Sequence, residues 1–242
     1  MDRNFIRRAT KITSFNLTSA DFQSLKYKKE IQHLFGFYFF DDFDIATAST
    51  QQVNAQKFNS LITILKNINK EQFKYVHNYN LKGIGPGEVT LYLLCQSAYL
   101  GGGSSAGVDL VAGNEKYEVK AVKISADNIA SDFKLGGTVS LSKIITDLND
   151  LRISLRLGGT TTEMSGSIIN QMKKMAPKEF AKVESAYAAL AEEYFDSHKT
   201  IFINNSSSLD KMGRIEAIKR VSKNDIMIDR VTSGTVKPKI KL

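Results

Sequence analysis

Asp109, Glu118 and Lys120 are the side chains whose type and spacing point most clearly to chemistry. They fall in two short alternating runs, 107–111 and 117–124, separated by Gly113-Asn114, a dipeptide that suits a hairpin turn. Side chains alternate along a strand, so Glu118 and Lys120 share one face, roughly 7 Å apart, while Val119 and Ala121 turn to the other. Pairing the runs brings Asp109 to the same charged face. The charges sit among Val108, Leu110, Val111, Val119, Ala121 and Val122, where an ion costs desolvation free energy unless it is paired or binds a cation. Two carboxylates at one point make a natural Mg2+ site, since this small, hard dication takes oxygen ligands and keeps several waters. A lysine beside it can orient or deprotonate a water, or stabilise charge on a phosphate. The same three residues could also form a structural ion pair on a half-exposed hairpin.

Asp109 followed across a hairpin by Glu118-Val119-Lys120 resembles the motif of the PD-(D/E)XK nuclease superfamily, which has the restriction-endonuclease-like fold. Many members carry a further acidic residue on a helix just before the hairpin, and Glu88 fits that place. Val108 stands where the name-giving proline would be, a position the family often varies. The resemblance covers residues 83–124, about a sixth of the chain. It implies Asp109 and Glu118 as metal ligands, Lys120 as the catalytic lysine, and Glu88 as a residue that orients the lysine or holds a second metal. The implied cofactor is Mg2+, with Mn2+ able to substitute, and the implied reaction is hydrolysis of DNA phosphodiester bonds by an endonuclease. RNA is not separated from DNA, and a homodimer is a family-level expectation. Glu88 also suits the first turn of a helix for electrostatic reasons alone.

Gly83-Ile84-Gly85-Pro86-Gly87 is neither a dinucleotide fingerprint nor a P-loop, because Glu88 stands where the third glycine would fall and no Gly-Lys-Ser/Thr follows. It is similar to the hairpin of a helix-hairpin-helix DNA-binding motif, in which N–H groups at residues such as Gly85 and Gly87 hold a phosphate. A tight turn into a helix is the plain alternative. Gly101-Gly102-Gly103-Ser104-Ser105 reads as a loop leading into the hairpin, with Ser104 and Ser105 as candidate nucleic-acid contacts or mere connectors.

The chain has 242 residues, 33 Lys plus Arg against 25 Asp plus Glu, and a formal charge of +8. Nine Lys or Arg against three Asp or Glu lie in residues 211–242, so most of the excess is there. Lys237, Lys239 and Lys241 alternate and would share one strand face, a basic stripe suited to a phosphate backbone or a guard against edge-to-edge aggregation. One cysteine, Cys95, and three scattered histidines argue against a disulfide scaffold or a zinc site. No long apolar run suggests a membrane span, and the expected setting is a reducing cytoplasm, or a host cytoplasm or virion for a phage protein, without secretion.

These residues need elements to position them. Helical periodicity is expected over Ser19 to Phe35, behind Ser49 or Thr50 (Val53, Phe58, Leu61, Ile62, Leu65, Ile68), through the apolar run Val89 to Leu100, behind Ser140, and from Pro177. Strands are expected at Phe37 to Phe40 and Thr200 to Ile203, and three times in the tail: Ile215 to Val221, Ile226 to Val231, Val236 to Leu242. Helices and strands are mixed along the chain, so the class is α/β or α+β, and the resemblance implies the α/β form: a restriction-endonuclease-like mixed sheet flanked by helices, with a helical part at 1–80, a core at 81–204 and a small basic β appendage at 205–242. The competing functional class is a non-catalytic DNA-binding or structural protein, virion or chromosome-associated, with a nuclease-like fold.

Overall fold

The structure, a computed structural model, describes residues 51–78, 84–94, 98–103, 108–112, 114–135, 141–195 and 198–242. The basic residues before position 20, the expected helix over Ser19 to Phe35, the strand at Phe37 to Phe40, Cys95, and Ser104 with Ser105 lie outside them. The chain divides into two compact units, one comprising the described residues up to Ala121 with His198–Lys219, the other Val122–Ser197 with Arg220–Leu242. Both are discontinuous, so they cut across the three consecutive segments expected from the sequence.

In the first unit, helix α1 (Gln51–His77) buries Phe58, Ile62, Leu65 and Phe73 along one stripe, as the periodicity predicts. Asn78 closes it, its side-chain amide and its backbone N–H both donating to the Lys74 carbonyl at 2.9 Å. Helix α2 (Glu88–Leu94) follows the glycine-rich bend and buries Val89, Leu91 and Tyr92. The apolar run expected to continue this helix to Leu100 instead becomes strand β1 (Ala98–Gly103). An apolar run carries no periodicity to separate helix from strand, and pairing with β2 (Val108–Ala112) decides the matter. Strand β3 (Glu115–Ile124) pairs antiparallel with β2; β5 (Lys199–Asn204) pairs with β3, and β6 (Ile215–Lys219) antiparallel with β5. Leu100, Leu110, Tyr117, Val119, Ile201, Ile203 and Ile215 join the helical stripe in one apolar core.

In the second unit, the end of β3 pairs with β4 (Ile129–Ser131), β4 with β8 (Thr235–Lys241), and β8 with β7 (Ile226–Thr232), all antiparallel. Helices α3 (Ser142–Ser154), α4 (Gly166–Met175) and α5 (Pro177–Phe195) complete it, Pro177 standing at the first helical position where its missing N–H costs nothing. The β7–β8 turn uses Ser233 and Gly234 at φ 51° and 65°, the two left-handed residues of a type I′ hairpin.

The tail strands are not an appendage. β6 adds to the sheet of the first unit, while Val236 and Ile240 of β8 are fully buried in the second. At the coarse level the class is α/β, as expected. Among the described residues, no helix is long and apolar enough to cross a membrane.

Candidate active site

Four side chains singled out from the sequence meet in the first unit: Glu88 from the start of α2, Asp109 from β2, and Glu118 and Lys120 from β3. The β2–β3 ladder registers Leu110 with Tyr117, Val111 with Lys116 and Ala112 with Glu115. One step outside the first of these pairs, away from the turn, stand Asp109 and Glu118. Asp109 Oδ2 accepts a hydrogen bond from the Val119 backbone N–H at 2.9 Å, and its carboxyl group lies close to that of Glu118. Lys120 Nζ donates to Glu118 Oε1 in an ion pair whose side chains are only 13% and 11% exposed. Tyr117, Glu118 and Val119 are buried in succession, so β3 is covered on both faces here rather than charged on a solvated one.

Glu88 is 6% exposed, and its Oε1 accepts from the Gly85 N–H at 2.7 Å. Gly85 is needed for this: a Cβ there would stand 2.8 Å from the same oxygen. Gly87 has φ +85°, and a Cβ on it would meet Ile203 Cδ1 at 2.9 Å. Its N–H donates to the His77 carbonyl at 2.8 Å. Both glycine N–H groups thus have protein acceptors, which removes the backbone donors on which a phosphate-holding role for Gly85 and Gly87 relied. The tight turn into a helix is the arrangement present.

Gly101 was expected in a loop but lies in β1. The β1–β2 register slips by one residue between Leu100 and Gly103, a bulge, and a Cβ on Gly101 would fall 2.3 Å from the Val108 carbonyl oxygen. The glycine lets β1 press against the residue that precedes Asp109. The Gly101-Gly102-Gly103 run directly before the hairpin is a signal that could have suggested this close backbone approach.

Burial and like charge act together on these carboxyls. Burial first, then the charge of Asp109, raises the Glu88 pKa to about 8, against the opposing pull of the Gly85 N–H and Lys120. Asp109 is raised to about 6, by burial and then by Glu118, although the Val119 N–H and Lys120 favour its ionised form. Adjacent buried carboxyls that resist ionisation are a place where a cation would relieve both desolvation and repulsion. Asp109 and Glu118 are the pair able to hold one. Among the described residues, no group of three or more His, Cys, Asp or Glu side chains is arranged around a metal position, so water and substrate oxygens would complete the shell.

The basic stripe on β8 has the expected alternation: Val236, Pro238 and Ile240 are buried, and Lys237, Lys239 and Lys241 lie on the other face. Within the stripe Lys239 has an internal partner, and cations on neighbouring strands are paired as well. Lys239 pairs with Asp229 at 3.0 Å, Arg230 bridges Asp229 and Asp132 at 2.5 and 2.6 Å, and Lys123 meets Asp132 at 2.6 Å. The Lys237 pKa is lowered by burial and by the nearby charges of Lys134 and Arg230.

No protein-family model, curated protein or solved structure matches the chain.

Proposed function

We propose that the protein is a magnesium-dependent nuclease, an endonuclease hydrolysing DNA, built on a restriction-endonuclease-like core. The observation that supports this best is the pair of carboxyls of half-buried Asp109 and buried Glu118, side by side with Lys120 bonded to one of them. Asp109 and Glu118 would hold Mg2+, which would supply Lewis-acid polarisation of a phosphoryl oxygen and of the attacking water. Lys120 places an ammonium where charge develops on the phosphate, and its contact with Glu118 fixes its direction. Glu88, whose pKa is raised to about 8 by burial and by the charge of Asp109, acts as a positioning residue.

The direct test is incubation of purified protein with plasmid and Mg2+ or Mn2+. Nicking or linearisation that disappears in Asp109→Asn and Lys120→Met supports the reading, and equal cleavage by the variants ends it.

A second reading has its own observation. The Lys120–Glu118 pair and the Asp109–Val119 bond are what a purely structural cluster would also make, so a non-catalytic DNA-binding protein, virion or chromosome-associated, remains the competing class. DNA binding that falls steeply with salt, without cleavage under either metal, would favour it.

A further inference from the structure

Away from the four residues above, the first unit contains a second group of convergent charges. Thr63, Lys66, Asn67 and Lys70 stand at i, i+3, i+4 and i+7 on α1 and so share one face. They face the segment Leu209, Asp210 and Arg214, and the two sides line a cavity of about 680 Å3. Lys66 is only 9% exposed: its Nζ donates to the Asp210 backbone carbonyl at 3.2 Å and lies 5.3 Å from the centroid of the Phe73 ring. An ammonium has three donors, so this contact leaves hydrogen-bonding capacity directed to the cavity it lines. Lys70 and Arg214 are exposed at the same cavity. Glu71 and Asp210 are the carboxylates that line the cavity with these three cations, and Glu71 is paired with Lys74 at 3.1 Å.

Holding the Lys66 ammonium near the Arg214 guanidinium is unfavourable. Burial, and next the charge of Arg214, lowers the Lys66 pKa to about 8, with Asp210 opposing. An anion between these groups converts the repulsion into attraction and supplies acceptors for their donors. The cavity is of the size that admits small-molecule ligands, several times larger than a single phosphate group needs.

We propose that the cleft between Lys66, Lys70 and Arg214 is a phosphate-binding site, taking either a backbone phosphate of a nucleic-acid strand or the phosphate of a free small molecule. The site does not rest on the nuclease reading. Its signal in the sequence was the polar stripe Thr63, Lys66, Asn67, Lys70 beside the apolar one on α1; the partner Arg214 is remote along the chain and could not be read there.

The test measures binding without divalent metal, so that it succeeds or fails independently of catalysis. Pyrophosphate is titrated by calorimetry and a fluorescent oligonucleotide by anisotropy, for the parent, Lys70→Ala, Arg214→Ala, the double variant, and Lys143→Ala as an exposed-lysine control. The removed groups are exposed, and matching circular dichroism and melting curves confirm the fold. The double variant is expected to bind about tenfold or more weakly, with the control unchanged. Weakened oligonucleotide binding, with the slope of log affinity against log salt reduced by about 0.7–0.9 per lost phosphate contact, identifies a strand as the ligand. Loss confined to pyrophosphate identifies a free phosphorylated molecule. Parent-like affinity of the double variant for both probes, or no binding of either by the parent, overturns the proposal.

Discussion

The carboxylate of Asp109 binds the backbone N–H of Val119 at 2.9 Å, the one residue that separates Glu118 from Lys120. This bond ties β2 to β3 just outside the first registered pair, Leu110 with Tyr117, and sets all three functional groups in a fixed relation. A side chain here does what a ladder carbonyl would otherwise do, and it leaves the second carboxylate oxygen for other partners.

Asp109→Asn and Asp109→Ala should therefore separate structure from chemistry. The amide oxygen of Asn can still accept from Val119, so melting should change little, while cleavage should fall by about a hundredfold or more because a neutral amide is a poor ligand for Mg2+. Ala leaves the Val119 N–H without its acceptor and should also cost about 1–3 kcal/mol in denaturant unfolding. Parent-like cleavage by the Asn variant would remove Asp109 from the mechanism.

The acid–base behaviour of the site makes a prediction about metal and pH together. Glu88 and Asp109 have folded-state pKa values of about 8 and about 6, above their ordinary 4.5 and 3.8. Across the interval between ordinary and raised values the folded chain binds more protons than the unfolded one, so the stability that these groups contribute is present in acid and declines as pH rises toward 8. Mg2+ requires ionised carboxylates and competes with the protons. The rise in Tm on adding Mg2+ should be small at pH 5 and grow as pH passes about 6; a shift equal at all pH values, or retained in Asp109→Asn, would contradict metal binding at Asp109.

Two neighbouring glycines should respond differently to alanine. Gly87→Ala forces a β-carbon onto φ +85° and against Ile203, and should destabilise by about 1–3 kcal/mol in chemical denaturation. Gly85→Ala meets only the end of the Glu88 side chain, which can swing away. Its stability should stay nearer the parent's, while cleavage drops because the carboxyl loses its seat. Equal stability of the two variants would refute this account of the turn.

For the basic strand, neutralising Lys237 should weaken DNA affinity more than neutralising Lys239, whose charge is already met by Asp229 at 3.0 Å. Lys237→Gln and Lys239→Gln compared by anisotropy at two salt concentrations would show it, and the reverse order would refute it. Truncation before Thr235 is expected to unfold the second unit rather than merely weaken binding, since Val236 and Ile240 are fully buried; loss of its cooperative melting transition is the readout.

Local pattern carried far in this chain. Period-two alternation and a Gly-Asn turn identified β2 and β3, and with them Asp109, Glu118 and Lys120, because strand geometry alone sets which side chains share a face. Pro177 marked the start of α5, and Ser233-Gly234 the last hairpin. Less was legible where partners distant in sequence decide. The apolar residues from Ala98 became a strand because β2 was there to pair with them, and α4 is hard to read because a glycine stands at its first position and its Ser165 cap precedes a short stripe. Whether Gly85 and Gly87 offer their N–H groups to a phosphate was settled by Glu88 and by His77, the latter brought up on another helix. Burial, and with it the acidity of Glu88 and Asp109, arises only when the sheet and α2 close over them. Desolvation depends on everything that surrounds a charge, and no stretch of sequence contains its own surroundings.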